Sequence, residues 1–387
     1  MIKHLFKLIW NQKRKNMGLL FEFFFSFLVL FAVLTFIIYN FSRYREPLGF
    51  DIENMWQVNI SWNEVPKEDQ LVYQKIFKEQ LKNYPQIEHF SFSNHNTPYG
   101  HTVHINGLKY ENNEVAVHLF QVDEEFQKVY RVETTAGRWF EAPDMVNTKK
   151  VAVINRKLSE QLFGEDNPIG KNLEYGEEPV SVVGLVDHYK YQGEFSTTEN
   201  QMFISTAPDY VFGKILLRLR PGTGASFESK LIKELSQLAK GTILEVSYLD
   251  NMRKDVLLEI WLPMIIFIVI SGFLILNVAM GLFGVLWQNI NIRKAEIGVR
   301  RAMGATQGDI SWQFIGEVMV LATLAMAIGA FFAIQFPLLD VFGLPPMIYL
   351  LAIGAATLVI YSLVVICAFF PSRQAAQLHP AMALHEE

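Results

Sequence analysis

The chain has 387 residues, of which 51% are hydrophobic and 19% are charged. This composition is too apolar for one ordinary soluble domain and too charged for a bundle lying wholly in a membrane, so we expect membrane spans joined to a soluble domain. The net charge of −5 gives no reason to expect nucleic acid as a partner, and a single cysteine, Cys367, excludes a disulfide framework.

Four apolar runs are long enough to cross a bilayer, which takes about 20 residues. A basic tail, residues 1–22, precedes the first run, and a second tail, residues 371–387, follows the last. Because the first run is too long for a signal peptide and no cleavage-site pattern follows it, we interpret it as a retained anchor. The predicted spans are 23–41, 260–286, 318–336 and 348–370.

Lysine and arginine residues near the ends of the spans predict the orientation. The N-terminal tail carries five of them and the loop 287–317 carries four, whereas the loop 337–347 carries none. Both termini and the loop 287–317 are therefore predicted to face the cytoplasm. Residues 42–259 and the short loop 337–347 are then predicted to lie on the other side of the membrane.

Residues 42–259 predict an α+β domain that is interrupted by an insertion. Two strand-helix-strand patterns flank residues 96–206, which contain short strands and turn signals and read as mostly β. Residues 249–259 predict a helical stalk that continues into the second span. The flanking strands are predicted at 55–62, 87–94, 214–220 and 242–248, and the helices at 67–83 and 226–240.

No catalytic or cofactor-binding motif stands out. The chain has no G-x-x-x-x-G-K-[ST] sequence, so we do not expect it to hydrolyse ATP, and no Ser/His/Asp grouping is evident. His101 and His104 would point to opposite faces of a strand, so we favour a polar loop over a metal site and expect no cofactor. Five of the nine histidines cluster in this part of the chain: His89, His95, His101, His104 and His118.

The segment 291–306, NIRKAEIGVRRAMGAT, predicts a short, ordered helix in the cytoplasmic loop. Glu296 and Arg300 are four residues apart, which supports a helix over 292–303, and Gly304 is placed to end it. The sequence TQGD, which begins at Thr306, is typical of a capping box. One interpretation is an interfacial helix whose cations meet anionic lipid headgroups. A rigid, capped helix is better suited to docking on a partner protein.

This segment resembles the cytoplasmic motif of the MacB/FtsX family of ABC-transporter permeases. The tail PSRQAAQLHPAMALHEE is similar to the C-terminal signature of that family, and GRWFEAPD, VAVINRKLSEQLFGEDNPIGKNL and VVGLVDHYKYQG are similar to stretches of the MacB-type periplasmic domain. The signature residues in the tail are Pro371, Arg373, Pro380, Ala383 and Leu384. The resemblance implies ATPase coupling through Arg293, Lys294, Glu296, Ile297, Gly298, Arg300, Arg301, Ala302, Gly304 and Ala305.

The resemblance implies a type VII, or mechanotransmission, permease subunit in the bacterial inner membrane. Residues 55–95 and 207–248 would form a porter-like part and residues 96–206 a Sabre-like insertion. In this family two permeases act with two ATPase subunits, and stalks carry their movement to the periplasm to extrude a drug, peptide or lipid-linked substrate. Because a tail of 22 residues leaves no room for an ATPase, we expect a separate ATPase and a second permease copy or related half-permease.

Three other functions remain open at this point. An FtsX-like regulator of a cell-wall hydrolase and a lipoprotein-release permease belong to the same family, although the large outer domain favours transport over the former. A membrane-anchored receptor or scaffold without an ATPase would leave the ordered cationic loop and the matching tail unexplained. For efflux in a cell with two membranes, a periplasmic adaptor and an outer-membrane channel are further expected partners.

Overall fold

The computed structural model describes residues 13–146, 149–176, 178–207 and 209–376. It divides into two compact units, of which Arg43–Ile260 is the outer domain and the helical segments on either side form the membrane unit. The helices are α1 (Lys13–Tyr44), α2 (Lys67–Leu81), α3 (Phe126–Tyr130), α4 (Arg156–Phe163), α5 (Ala225–Leu238), α6 (Leu249–Ile292), α7 (Lys294–Ala302), α8 (Gln307–Ala333), α9 (Gln335–Leu338) and α10 (Pro346–Ala376). The strands are β1 (Met55–Ser61), β2 (Ile87–Ser93), β3 (Ile105–Tyr110), β4 (Asn113–Gln121), β5 (Thr134–Gly137), β6 (Val151–Asn155), β7 (Asn172–Tyr175), β8 (Glu178–Val186), β9 (Gln201–Ile204), β10 (Lys214–Leu219) and β11 (Ile243–Tyr248).

The membrane unit is built from four long apolar helices. By length and composition, the helical segments that could cross a membrane are Met17–Tyr44, Leu249–Ile292, Gln307–Leu338 and Pro346–Phe369, which confirms the predicted four-helix membrane fold. Helix α6 is continuous over 44 residues and includes the stretch 250–259 that was predicted to be helical.

Small residues allow the helices of the membrane unit to approach closely. Phe27 on α1 is fully buried, and a Cβ atom added at Gly329 on α8 would lie 2.5 Å from the Phe27 ring. Ala352 and Ala356 on α10 are also fully buried in the same core. Lipid is as apolar as leucine, so such close packing, rather than exclusion of water, holds membrane helices together.

The flanking strands of the outer domain form one antiparallel sheet in the order β11-β1-β10-β2. The units β1-α2-β2 and β10-α5-β11 interleave, which is the ferredoxin-like split arrangement. Phe77 on α2 and Leu231 on α5 are fully buried in a core shared with Val58 and Ile215. The alternation of apolar residues along the strands places this apolar face against the two helices.

The insertion forms a second sheet in the order β5-β8-β6-β9-β4-β3-β7. Strand β7 pairs with both β3 and β8, so six of its seven strands close into a ring with β5 attached to β8. Val117, Ala152 and Leu173 are fully buried inside the ring. The result is the predicted α+β domain with a mostly β insertion.

A buried arginine joins the two parts of the outer domain. Arg218 lies on β10, and its side chain is only 2% exposed. Its Nε donates to the carbonyl of Val129 at 2.6 Å, and its Nη2 donates to the carbonyl of Asp51 at 3.0 Å. Its Nη1 lies 3.2 Å from the Asp51 carboxylate. The acceptors of these bonds, on Val129 and Asp51, lie outside the sheet that contains Arg218.

Candidate coupling site

A short helix, α7, lies between the second and third long helices of the membrane unit. Helix α6 ends at Ile292, and Arg293 then leaves the helical conformation with φ −103° and ψ 13°. This kink is the reason that the observed helix starts at Lys294 rather than at 292 as predicted. Helix α7 contacts α10. We call α7 the coupling helix, after the role that is predicted for its residues.

The end of the coupling helix is fixed by hydrogen bonds at both sides of Gly304. The amide of Ala305 donates to the carbonyl of Arg300 at 3.0 Å, and the amide of Gly304 donates to the carbonyl of Arg301 at 3.1 Å. This pair of bonds is a Schellman motif. Gly304 has a φ of +99°, which only glycine adopts at little cost. The predicted termination at Gly304 is thereby confirmed.

Helix α8 begins with the predicted capping box. The Thr306 hydroxyl accepts from the amide of Asp309 at 3.2 Å, and the Asp309 carboxylate accepts from the amide of Thr306 at 2.9 Å. These bonds satisfy backbone donors that a helix N-terminus otherwise leaves without partners. Hydrogen bonds therefore fix both the end of α7 and the start of α8, on either side of the turn between them.

A network of charged and polar side chains holds the coupling helix against α8. Arg293 donates from Nη1 to both carboxylate oxygens of Glu317 at 3.0 Å, and from Nε to Glu296 at 2.8 Å. Glu296 also lies 2.6 Å from Nη2 of Arg300, whose Nη1 donates to Gln313. Since Glu317 and Gln313 belong to α8, the network crosses between the helices. We call these five residues the brace.

Hydrogen bonding within the brace favours the charged forms of Glu296 and Arg293. The hydrogen bonds from Arg293 lower the pKa of Glu296 below its usual value, and the charge of Arg300 lowers it further. In return, Glu296 and Glu317 raise the pKa of Arg293. Each charge therefore stabilises its neighbour, and the brace keeps its ion pairs through the neutral pH range.

The inner face of the coupling helix is apolar and buried. Ile297 packs in a small cluster with Ile290, Ile310 and Phe314, all almost completely buried. The guanidinium carbon of Arg293 lies 5.2 Å from the centre of the Phe314 ring, which adds a cation–π contact. Gly298 is buried beside Ile297. The helix is thus held by both apolar burial and ion pairs.

The outward face of the coupling helix is also apolar. Val299 is 45% exposed and Met303 is 76% exposed, and Ala295 and Ala302 are exposed as well. These four residues, spaced at i, i+4, i+7 and i+8, share one side of a helix, and we call them the apolar face. The sequence motif drew attention to Ala302 but missed Ala295, Val299 and Met303. Their four-residue repeat was the available signal.

The predicted coupling residues therefore occupy different environments. Three of them belong to the brace and two point inward beside the apolar cluster. Arg301 is half-buried, and its Nη1 lies 3.4 Å from the carbonyl of Ala305. Of the others, Ala302 and Gly304 are exposed, and Lys294 and Ala305 are half-buried.

The C-terminal signature is only partly within the described chain. Pro371 and Arg373 lie in the last turns of α10, which ends at Ala376. Pro380, Ala383 and Leu384 lie outside the described residues. The assignment of these five residues to the C-terminal signature of the family remains a prediction.

The histidine-rich segment lies in the outer domain. His101 and His104 precede β3 and lie in a loop, as we expected, rather than on a strand. The His95 and His104 rings are 4.4 Å apart, and His118 Nδ1 lies 2.7 Å from the Tyr191 hydroxyl. Within the residues that the structure describes, no three His, Cys, Asp or Glu side chains converge as a metal site would require.

These features define a class of protein: a membrane permease with a large α+β domain and a braced helix between its second and third spans. The MacB-like periplasmic core domain family matches residues 27–232, and the FtsX-like permease C-terminal family matches residues 256–380. The chain belongs to the MacB/FtsX family, whose members are permease components of ABC transporters.

Several exporters are similar to this chain. The macrolide export ATP-binding/permease protein MacB of Chromobacterium violaceum is 26% identical over 303 residues, which cover 72% of this chain and 45% of that protein. The probable syringafactin export ATP-binding/permease protein SyfD of Pseudomonas syringae is 27% identical over 295 residues, 72% of this chain and 43% of that protein. The chain thus spans less than half the length of the curated relatives it matches. The periplasmic region of MacB from Actinobacillus actinomycetemcomitans aligns with a TM-score of 0.40 and 14% identity, covering 55% of this chain and 97% of that one.

Proposed function

We propose that this chain is the membrane subunit of an ABC transporter that couples ATP hydrolysis by a separate ATPase to movement of its outer domain. That movement extrudes a substrate such as a drug, peptide or lipid-linked molecule. The observation that carries the proposal is the coupling helix, a nine-residue helix that is capped, braced by Arg293 and Glu317, and apolar on its outward face. A helix fixed so firmly can transmit a push from a docked partner.

The proposed location is the bacterial inner membrane, with both termini and the coupling helix in the cytoplasm. The cationic loop around the coupling helix and the basic N-terminal tail support this orientation. The outer domain then lies in the periplasm. In this orientation, α6 begins at Leu249 on the periplasmic side of the membrane. It ends at Ile292 on the cytoplasmic side, where the ATPase would bind.

The apolar face, and not the brace, is the proposed docking surface for the ATPase. Arg293, Glu296 and Arg300 direct their charges to one another and to α8, so they position the coupling helix. Val299 and Met303 are the large residues of the apolar face, and both are exposed. The buried cores of protein interfaces are apolar, depleted in charged residues and enriched in methionine, with polar residues at the rim.

The assembly that we propose contains two ATPase subunits and two permeases, the second permease being another copy or a related half. The relatives named above are exporters, which supports extrusion over uptake. For efflux across two membranes, a periplasmic adaptor and an outer-membrane channel complete the proposed assembly.

Purification of the tagged full chain from its native membrane in mild detergent tests the proposal. We expect an ABC ATPase, identified by its own P-loop sequence, to co-purify and to hydrolyse ATP. Val299→Asp should lower its retention at least tenfold, because a carboxylate would be desolvated in an apolar interface. Ile243→Asp is the matched control, since Ile243 is 61% exposed on the outer domain, and should retain the ATPase.

Two results would contradict the proposal in different ways. If the unaltered chain captures no ABC ATPase under conditions that preserve a known ABC complex, the transporter assignment is wrong. If Val299→Asp and Met303→Asp both retain the ATPase fully, the assignment of the docking face is wrong while the transporter assignment stands.

A further inference from the structure

The loop that follows β8 is buried to an unusual degree. Residues 188–195, which we call the clasp, connect β8 toward β9, and Tyr189, Lys190 and Tyr191 within it are almost completely buried. Connecting loops normally run over the surface, and lysine is almost never fully buried without partners. The burial of the clasp therefore needs specific contacts to hold it.

Lys190 binds the end of α1. Its side chain is 0% exposed, and its Nζ donates to the carbonyl of Arg43 at 2.7 Å and to the carbonyl of Glu194 at 2.5 Å. The Glu46 carboxylate lies 3.6 Å away. Arg43 is in the last turn of α1, and its carbonyl also accepts from the amide of Glu46 at 3.1 Å. The C-terminal end of a helix favours a nearby cation. Lys190 thus caps α1 from within the clasp.

Glu194 binds the start of α6. Its side chain is 5% exposed and accepts from Nε of Arg253, on α6, at 2.5 Å. The Tyr99 hydroxyl also donates to Glu194, at 3.4 Å. Lys190 and Glu194 therefore reach two different stalk helices from positions four residues apart, and the Nζ of Lys190 bonds the backbone of Glu194 between them.

The clasp also packs closely on α6. Gly193 has a φ of +106°, and a Cβ atom added there would lie 3.2 Å from Cγ1 of Val256 and 3.3 Å from Cε1 of Tyr99. No larger residue fits this conformation and this space without strain. On the other side of the clasp, the rings of Tyr44 and Phe195 lie 5.5 Å apart. The clasp is thus enclosed by the end of α1 and the start of α6.

We infer that the clasp is the element that carries movement of α1 and α6 into the insertion, and that Lys190 and Glu194 are its positioning residues. The inference rests on the proposed function, which supplies the movement. Strand β8 leads directly into the clasp and pairs with β5, β6 and β7. A displacement of the two stalk helices therefore has a polar route into β8 through the clasp. It runs beside the apolar core in which Leu249 of α6 packs with Phe120 and Phe203 of the insertion.

The test uses the full chain in nanodiscs with the ABC ATPase that co-purifies with it. Hydrogen exchange is compared between the nucleotide-free state and the state trapped with ATP and vanadate, in the coupling helix and in β6 and β8. The variants are Arg253→Gln, which removes one charged contact of the clasp, and Lys190→Met, which removes the cap. Arg156→Gln is the control, because Arg156 forms an exposed ion pair with Asp187, just before the clasp.

We expect the unaltered chain and Arg156→Gln to respond to nucleotide in both regions. Arg253→Gln and Lys190→Met should keep the ATPase rate and the response of the coupling helix, but lose at least half of the response in β6 and β8. A merely structural role would alter exchange equally with and without nucleotide. Lys190→Met removes a buried contact, and its loss can unfold the outer domain. If Lys190→Met is unstable, Arg253→Gln alone tests the inference.

Three outcomes would overturn the inference. A full insertion response in Arg253→Gln would show that movement bypasses the clasp. Loss of the response in the coupling helix as well would show that the variants disturb the whole assembly. No nucleotide response in the coupling helix of the unaltered chain would remove the proposed function and the inference with it.

Discussion

Arg293 Nη1 lies 3.0 Å from both carboxylate oxygens of Glu317, so the residue that starts the coupling helix is bound to the body of α8. This contact holds the two helices at their angle together with the turn at Gly304, the Arg300–Gln313 hydrogen bond and the apolar cluster around Ile297. The two side chains are each about one-fifth exposed, at 21% and 20%, which reduces screening by water. Loss of either partner should therefore loosen the helix without unfolding the membrane unit.

Glu317→Gln should make the coupling helix more mobile. The charged bond to Arg293 is lost, and hydrogen bonds to charged groups contribute about 1.5–3 kcal/mol. Because water screens part of this pair, we expect a loss of about 1–2 kcal/mol, seen as a five- to thirtyfold faster amide exchange in residues 294–302. Hydrogen exchange of the full chain measures this directly.

Lys82→Gln is the control for this prediction. It breaks the ion pair between Lys82 and Glu79, whose side chains are 53% and 71% exposed, respectively. Such exposed ion pairs contribute less than about 1 kcal/mol to stability. Exchange of the coupling helix in Glu317→Gln no faster than in Lys82→Gln would show that the brace does not hold it.

Arg218→Met should strongly destabilise the outer domain. The arginine is buried, and its removal takes a donor from the carbonyls of Val129, Asp51 and Glu53. The Asp51 carboxylate loses one of its donors and keeps Arg131. Breaking a buried charged network by removing one partner costs about 3–5 kcal/mol. Amide exchange in β10 and α3 should accelerate at least a hundredfold.

Arg131→Met is a closely matched comparison. Arg131 contacts the same Asp51 carboxylate, at 2.8 Å, but its side chain is 55% exposed. Its loss should cost less than about 1 kcal/mol. Equal effects of the two substitutions would mean that burial does not determine the contribution of Arg218.

The stability of the outer domain should fall as the pH rises toward 7 because of Asp123. Burial raises the pKa of Asp123 to about 7, although the Ser91 hydroxyl and the Phe92 amide donate to its carboxylate at 2.5 and 2.8 Å. A folded-state pKa above the unfolded value of about 3.9 favours folding at low pH. This contribution is complete below about pH 4 and is lost by about pH 7, on the order of 4 kcal/mol.

Asp123→Asn should remove this component of the pH dependence. Urea unfolding of the full chain in detergent at pH 5 and pH 8 measures this pH dependence. Amide hydrogen exchange in β2 reports on the unfolding of the outer domain, because Phe92 lies on that strand. Asp187→Asn, in an exposed ion pair, should leave the pH dependence unchanged. An identical difference between the two pH values in the unaltered chain and Asp123→Asn would contradict the assignment.

Local patterns in the sequence were sufficient to predict the flanking sheet and the coupling helix. The strand predicted at 87–94 is observed as Ile87–Ser93, because apolar alternation and turn residues act over a few positions. Gly304 and the Thr306 capping box were readable for the same reason. The exposure of Val299 could not be predicted in this way, because it depends on which side of the coupling helix the brace holds against α8.

Contacts between distant segments could not be predicted in the same way. The pairing of β7 with both β3 and β8, which closes the insertion ring, has no local signature. The stretch DHYKYQG reads as a solvated loop because its residues are polar, yet Lys190 is enclosed. Its partners are the backbone carbonyls of Arg43 and Glu194. Because every residue has a backbone carbonyl, no residue type in the sequence identifies these two as the partners.

The two ends of the insertion meet in the flanking sheet, where Ser93 at the end of β2 pairs with Lys214 at the start of β10. A segment whose ends already lie side by side can be exchanged for another without opening its parent sheet. A different insertion can thus be joined to the same flanking sheet and the same membrane unit. The same junction offers a site for chimaeras, provided that the graft keeps Lys190 and Glu194 in place.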